Sequence, residues 1–567
     1  MNRNVIDIDL SNQRVSTEPL AEQYRHLGGR ALTSSMIASG VEPLCHPLSA
    51  ENMLVIAPGL LAGTALSSAN RLSAGAKSPL TGTIKESNSG GMTAFRLGRM
   101  GIAAVRIHGK LDAGRGLAGI RISKDGVSFE DLSSLKGKGA YEAAAALLER
   151  YGRRVGLILI GPAGELKLST AGMSVNDPEG EPCRNLARGG LGAVMGSKGI
   201  KAIIVDDAGT EPAVADKDRL KEVISRYTTM LKEHPVTGER FAKYGTSVNV
   251  TGISSMGGLP TRNFSDGVFE GAEKIGAETL YKNITSRGGA HAHACMPGCV
   301  IRCSNKYVDA AGEAVVGSLD YETLCLLGSN LGLSDLDQVA ELNRLCNDIG
   351  IDTMETGAAL GVLADGGVFA FGDYLRIKQL VEQIGTDSPM GRLLGSGSGA
   401  CGKAYGVERV PVVKNQGMAA YDPRTIKGLG LTYAQSTMGA DHTAGNAIVL
   451  DVDHSDPTVQ LEPVRNLNIQ TMVLDWMGLC LFTARVTLNQ TEIIEQMVEA
   501  VTGRKVGFGE LMETAWELLL LERDFNRRAG FTQTDDRLPR FMLTEPLPPH
   551  GMVADLSEET IDRFYDR

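Results

Sequence analysis

The chain has 567 residues, 43% hydrophobic and 22% charged, with a formal net charge of −10: globular composition, long enough for two to four domains. That acidic balance, with no run of Lys and Arg and no basic stripe interleaved with aromatics, speaks against nucleic acid as a partner. No stretch reaches 18 apolar residues, and the polar, alternating start MNRNVIDIDLSNQRV is neither a signal peptide nor a twin-arginine leader, so no membrane span and a cytoplasmic location are expected.

Residues 1–207 are Gly-rich and strand-rich. MLVIAPG, AAVRIHG, RRVGLILIGPAG and KAIIVDDAG are short β-branched runs ended by Gly or Pro. Gly90-Gly91 is followed by MTAFRLGRMGIAAVRIHG and Gly189-Gly190 by LGAVMGSKGIKAIIVDDAG. Each copy reads as a double Gly, a short helix, a turn and a strand, which predicts a pseudo-symmetric β domain. Helical periodicity begins near Asp216 and returns at 335–349, 375–385, 490–502 and 511–526. A division near residue 420 separates two helical portions, 208–420 and 421–567, and GSGSG at 395–399 reads as a loop. A shorter repeat, Asn347 to Asp352 and Asp475 to Cys480, has the form D/N-x-x-G-I/L-D/C at the end of an apolar helical stretch. Two copies predict two similar ligands held in related ways.

Three of the nine cysteines, Cys295, Cys299 and Cys303, fall within nine residues around a Pro-Gly turn. Clustered thiols in such a chain read as a metal site before a disulfide framework. Thiolates suit iron–sulfur clusters and zinc alike. Cys480, which ends the second short motif, is the candidate fourth ligand. The rival is a structural zinc site, for which His291 and His293 lie just upstream. Cys45, Cys183, Cys346 and Cys401 are read as inert small hydrophobes.

Taken together, several segments resemble the aldehyde:ferredoxin oxidoreductase family, and the likeness runs along nearly the whole chain. They are GGRALTSSMI near the start, SANRLSAGAKSPLTGTIKESNSGG at 68–91, RGGLGAVMGSKGIKAI at 188–203, the Cys loop, YETLCLLGSNLGL at 321–333, AYDPR at 420–424, GADHTAG at 439–445 and DWMGLC at 475–480. The resemblance implies an α+β fold in which an N-terminal pseudo-twofold β-sheet domain is covered by two mainly α-helical domains. It also implies a tungsten (or molybdenum) bis-pyranopterin, one [4Fe–4S] cluster and a Mg2+ bridging the pterin phosphates. Carried over by position, Cys295, Cys299, Cys303 and Cys480 are similar to the cluster ligands, although the first spacer here holds three residues where the family has two. Arg71 is similar to the arginine between cluster and pterin. Asn88, Gly90, Arg188 and Gly189 match the region of the phosphates and their cation. Glycine lets backbone N–H groups approach a phosphate, and arginine binds it bidentately. Asp475, Gly478 and Leu479, with Asn347 and Asp352 of the other copy, match the residues that receive the pterin amines. Asn347 stands where the family has Asp.

The activity implied is oxidation of an aldehyde to a carboxylic acid, with electrons passing through the cluster to ferredoxin or a small polyferredoxin-like subunit. No Rossmann glycine fingerprint follows a strand, so direct use of NAD is not expected. Glu322 and His442 are the candidate acid/base pair. Their alternative readings are a carboxylate favoured at a helix start and a structural histidine paired with Asp441. Cys325, one helical turn after Glu322, is either a thiolate close to the metal or a packed small residue. Two other functions stay open: a low-potential reductase of carboxylic acids or aromatic acyl thioesters with the same cofactors, and a non-redox zinc-stabilised scaffold. The family also carries homodimers, for which the sequence shows no separate signal.

Overall fold

The computed structural model describes residues 3–112, 114 and 116–567. The first 207 residues build two six-stranded sheets. One contains β1 (Asn4–Asp9), β2 (Arg14–Pro19), β3 (Leu54–Pro58), β4 (Leu72–Lys77), β5 (Ile84–Ser89) and β6 (Ile102–His108). The other contains β7 (Ala118–Ser123), β8 (Gly126–Asp131), β9 (Gly156–Leu159), β10 (Met173–Val175), β11 (Arg184–Leu186) and β12 (Ile200–Asp206). The first is ordered β2-β1-β6-β3-β4-β5, and the second, read in the same sense, β8-β7-β12-β9-β10-β11. Strand directions repeat as well: β1/β6 and β7/β12 are parallel, whereas β3/β6 and β9/β12 are antiparallel. The unit foreshadowed by the double glycines is therefore an entire sheet. Each Gly pair opens a short helix, Thr93–Arg99 or Leu191–Ser197, that leads into β6 or β12. One apolar core, including Ile56, Val105, Ile158 and Ile203, is shared by the two sheets, and their edges β5 and β11 abut.

Helices cover this base. The periodic stretches form Lys217–Glu233, Leu336–Ile349, Tyr374–Ile384, Glu492–Thr502 and Phe508–Arg528. Asp216 and Asp335 cap two of them by accepting from backbone N–H groups of the first turn. The helical packing does not divide at residue 420. One core joins Leu220–Val248 to Ile469–Leu519 and rests on the first half of the base through Leu60, Leu61 and Leu66. The other joins Val250–Val464 to Leu538–Phe564 and rests on the second half through Leu168 and Ala171. The chain passes between the cores repeatedly, with Met296, Cys299 and Ile301 of the cysteine loop belonging to the first, which a single composition boundary does not register. GSGSG is also not wholly a loop. Ser398 and Gly399 begin the helix Ser398–Tyr405, because the buried Glu355 carboxylate accepts both the Ser398 N–H (2.9 Å) and its hydroxyl (2.6 Å). Among the described residues no single helix is long and apolar enough to cross a membrane.

The short repeat fixes how helices meet sheets. The helices Leu336–Ile349 and Leu461–Met477 both end on a left-handed glycine, Gly350 and Gly478, each with φ +77°. Gly478 packs on Gly59, just past β3, and Gly350 on Gly161, just past the corresponding β9. The Gly478 carbonyl accepts from Arg71 N (3.1 Å), and the Gly350 carbonyl accepts from Gly172 N (3.0 Å). A methyl on Gly59 would lie 2.2 Å from the Gly478 Cα, and backbone cannot move aside as a side chain can. Gly59→Ala is expected to destabilise the protein by about 1–3 kcal/mol, read as a lowered midpoint of thermal unfolding. An unchanged midpoint would mean that this junction has slack.

Candidate active site and thiol cluster

The strand Ala290–His293 delivers the chain into the cysteine loop, which turns at Gly298 with φ +77°. The loop lies against the end of β5. Gly91 N donates to the Cys295 carbonyl at 2.9 Å, and a Cβ on Gly90 would sit 3.3 Å from the Cys295 sulfur. On its other side the loop is tied to the segment before Arg71. Ser67 Oγ accepts from Val300 N (3.1 Å), and Ser68 Oγ donates to the Cys299 sulfur (3.5 Å). Cys480 N donates to the Ser68 carbonyl at 2.8 Å, so the remote cysteine reaches the same place through backbone pairing. The four thiols form one interacting group. Cys295 and Ser68 hydrogen bonds hold Cys299 at about 6, whereas burial pushes Cys303 and Cys480 up.

Zinc fits this arrangement poorly. Four sulfurs at about 2.3 Å from one zinc would lie within about 4 Å of each other. Among the described residues no three of these four approach within 4.8 Å. Neither histidine completes a site. His293 Nε2 pairs with Asp177 (2.8 Å), and exposed His291 faces the Ala242 carbonyl (3.4 Å). A wider, all-thiol donor set suits a multi-iron cluster. The group of ligand-type side chains that does converge is Asp177, Glu181 and Cys183, so Cys183 is less isolated than a plain hydrophobe.

Arg71 connects the thiols to the first polar centre. Its charge lowers the Cys480 thiol against the effect of burial, and its Nε donates to Asn88 Oδ1. Asn88 Nδ2 donates to Ser73 Oγ and Glu86 Oε1, both at 3.2 Å. Asp475 stands opposite, with Arg30 spanning it (3.4 Å) and Glu522 (2.9 Å). Burial and the Glu86 charge push Asp475 up to about 8, against the pull of Arg30 and Arg71. Burial raises Glu86 as well. Burial thus disfavours the charged form of both carboxyls.

The second centre sits on the other half of the base. Arg188 Nε pairs with Asp352 Oδ2 (3.3 Å), its Nη1 donates to the Ala440 carbonyl (2.8 Å) and its Nη2 to the Gly417 carbonyl. Lys85, fully buried, pairs with Asp441 at 2.7 Å. Burial alone would raise Asp441, but Lys85, Arg188 and His442 outweigh it and hold the carboxyl below its ordinary range. Gly189, with φ +84°, leaves no room for a Cβ, which would strike the Lys85 side chain at 2.5 Å. The Asn347 carbonyl oxygen already accepts from Asn185 (2.9 Å), while Asp352 caps the next helix through Met354 N (2.9 Å). The two copies of the short motif thus present different groups: the Asp475 carboxyl at one centre and a spoken-for amide at the other.

Glu322 and His442 meet beside this second centre, where Arg188 and Asp441 act on the Glu322 carboxyl. His442 Nε2 lies 3.3 Å from Glu322 Oε1, while Glu322 Oε2 accepts from Ala420 N at 2.8 Å. Glu322 Oε1 and His442 Nδ1 are buried without a hydrogen-bond partner. Burial raises the Glu322 carboxyl. Asp441 does not pair with His442; it takes Lys85 and Thr443 instead. Glu322 is in the first turn of the helix Tyr321–Leu326, yet its contacts point away from that helix. Tyr421 lies 5.9 Å from the imidazole centroid and 4.9 Å from the Tyr321 ring. Cys325 is fully buried in the apolar core, and burial raises its thiol. Sequence reasoning missed Arg30, Lys85, Glu86 and Glu522, and gave Asp441 only as a partner for His442. A usable signal was present: β5 reads IKESNS, charged residues in a strand that is almost wholly buried.

Residues 5–207 match the family model of the aldehyde ferredoxin oxidoreductase N-terminal domain, and residues 222–567 that of aldehyde ferredoxin oxidoreductase domains 2 and 3. The chain is 31% identical to the tungsten-containing aldehyde ferredoxin oxidoreductase of Pyrococcus furiosus, covering 99% of this chain and 94% of that one. It is 32% identical to the protein of that name from Pyrococcus abyssi, covering 99% and 95%. The active site complex BamBC of benzoyl coenzyme A reductase, solved with 1,5-dienoyl-CoA, shares the fold at a TM-score of 0.83 and 19% identity, covering 100% and 94%. With both family models in place over its two parts and relatives of this identity along its whole length, the chain belongs to the aldehyde ferredoxin oxidoreductase family and is an oxidoreductase of that type.

Proposed function

We propose that the protein oxidises an aldehyde to a carboxylic acid at a tungsten (or molybdenum) bis-pyranopterin and sends the electrons through a [4Fe–4S] cluster to ferredoxin or a ferredoxin-like subunit. The observation that carries this reading is the half-buried Glu322–His442 pair, within reach of the Arg188 and Asp441 charges, with Glu322 Oε1 and His442 Nδ1 buried and without a hydrogen-bond partner. Asp475, Gly478, Leu479, Asn88 and Gly90 would hold one pterin, and Asn347, Asp352, Arg188 and Gly189 the other, with Mg2+ between their phosphates. Cys295, Cys299, Cys303 and Cys480 would hold the cluster, with Arg71 between it and the nearer pterin. Once bound, the metal supplies a two-electron acceptor and the cluster a one-electron exit.

The protein's own residues manage protons and position. Aldehyde and water give acid, two electrons and two protons. Glu322 Oε1 takes a proton from the water that adds to the carbonyl carbon. His442 donates towards the carbonyl oxygen as negative charge gathers there. Ala420 N fixes the carboxylate through its other oxygen, and Tyr421 backs the imidazole. Purified anaerobically, the protein is expected to contain about one tungsten or molybdenum and about four irons per chain. It is also expected to reduce a viologen dye when given an aldehyde. Zinc alone, or no metal in folded protein, would overturn the reading. Full metal with turnover only from acid or acyl thioester would reverse the direction.

A further inference from the structure

A surface hollow opens beside Cys303, the thiol whose loop neighbours Gly298 and Arg302 are exposed. Its walls are aromatic. Tyr244 and Tyr281 meet edge-on with centroids 5.6 Å apart, and Tyr281 and His291 lie 5.0 Å apart. Lys243 Nζ hangs over both tyrosines, 4.7 and 5.4 Å from the ring centres. The short helix Phe241–Tyr244 is seated tightly on the cluster loop, for a Cβ on Gly245 (φ +62°) would lie 2.4 Å from the Cys303 carbonyl oxygen. Phe241 packs at a tilt against Phe482, two residues after Cys480, with ring centroids 4.9 Å apart. The hollow is therefore rigidly tied to two of the four thiol segments.

Its lining, through Lys243, and the segments adjoining that lining are cationic in a chain whose net charge is −10. Arg240, Lys243, Lys282, Arg302 and Arg485 are all exposed and come from separate turns and helices. Among the described residues none of these five has a carboxylate within 4.0 Å. Glu239 influences Lys243 only from further away. Elsewhere cations pair readily: Arg219 with Glu222, Lys221 with Asp218, and Arg287 with Asp337. Arg240 stands near enough to Arg485 to add to the lowering that burial causes. Like charges gathered without partners are unfavourable in the free protein and are relieved by an anionic surface.

We propose that this rim and hollow are the docking face for a small acidic electron-carrier protein that holds its own iron–sulfur centre. The proposal rests on the redox reading given above. The cations steer an acidic partner, the tyrosines offer a flat amphipathic anchor of the kind that dominates interface energetics, and Cys303 lies at the floor. In each encounter the protein's cluster loses one electron and the carrier's centre gains it, so one aldehyde requires two encounters.

The test uses the holoenzyme and a small acidic plant-type [2Fe–2S] ferredoxin as the probe. The triple variant Arg240→Glu, Lys243→Glu, Arg485→Glu replaces rim charges that touch neither thiols nor pterin residues. At low salt its second-order rate of ferredoxin reduction is expected to fall at least about tenfold, and the wild type's decline with ionic strength is expected to vanish. Aldehyde oxidation with a viologen dye is expected to stay at the wild-type rate. Direct binding of the ferredoxin, followed by calorimetry, is expected to weaken by a similar factor. Unchanged ferredoxin reduction and unchanged binding in the variant would overturn the docking face. An absence of dye-linked oxidation in the wild type would instead overturn the redox reading, and the binding measurement would still judge the surface. A wild type that binds an anionic vesicle or RNA more tightly than the ferredoxin would also overturn it.

Discussion

Glu322→Gln is expected to slow aldehyde oxidation by about 10²- to 10⁴-fold while tungsten (or molybdenum) and iron per chain stay at the wild-type level. Glutamine has the same shape, and its amide oxygen can still accept from Ala420 N, the contact that anchors the side chain at 2.8 Å. What it cannot do is hold a proton at the position of Oε1, 3.3 Å from His442. If Glu322 served only as a carboxylate at a helix start, neutralising it would cost about 0.3–1 kcal/mol of stability and nothing in rate. The two readings therefore differ by orders of magnitude in turnover. The pH profile separates them further. Burial raises the carboxyl above the usual glutamate range, and the base form must be ionised to act. Activity should rise with pH through that raised value, giving an acidic limb in kcat/KM displaced upward from ordinary glutamates. In Glu322→Gln the limb disappears along with most of the rate. A variant with normal metal, normal turnover and an unchanged limb would remove Glu322 from the chemistry.

Much of the architecture was legible because it is written in local signals. Gly91, Gly189 and Gly190 adopt a left-handed backbone that favours glycine, and the two glycine pairs mark the two sheets. Helices such as Lys217–Glu233 announce themselves by apolar period and an Asp cap. The partition of the helices was not legible, because Lys217–Glu233 packs against Glu492–Thr502 across nearly half of the chain, and no local pattern encodes that. The same limit applies to the site. Cysteines and motif acids stand out by type, so Cys480 and Asp475 could be named in advance. Arg30 could not be paired with Glu522, 492 residues away, nor Lys85 with Asp441, because buried ion pairs leave no spacing rule. Nor did the sequence show that Asn185 would occupy the Asn347 carbonyl. The two short motifs are alike in backbone geometry, with Gly350 and Gly478 at the same φ, and unlike in what their side chains have free.

That difference bears on Cys480→Ser, which is expected to lower the iron content below four per chain and to cut ferredoxin-linked turnover by more than about 10²-fold. Outer-sphere partners of a metal site typically cost 10- to 100-fold when lost, and a direct ligand should cost more. Serine is close in size and retains the backbone donation from residue 480 to the Ser68 carbonyl, so the junction at Gly59 and Gly478 should stay closed. Its oxygen is a hard donor where the other three are soft thiols. The corresponding residue of the first motif, Asp352, sits on a similar backbone turn yet caps a helix and pairs with Arg188, so the turn alone does not call for a thiol. The thiol is called for by position: Arg71 acts on both Cys480 and Asp475, so Cys480 stands on the side on which the first pterin is proposed. Removing it should interrupt electron exit while the Glu322–His442 pair remains intact, so tungsten or molybdenum content is expected to hold as iron falls. If iron stayed at four with an unaltered paramagnetic signal, a different fourth ligand would have to be sought. Loss of both metals together would mean that Cys480 closes the whole cofactor cavity and not the cluster alone.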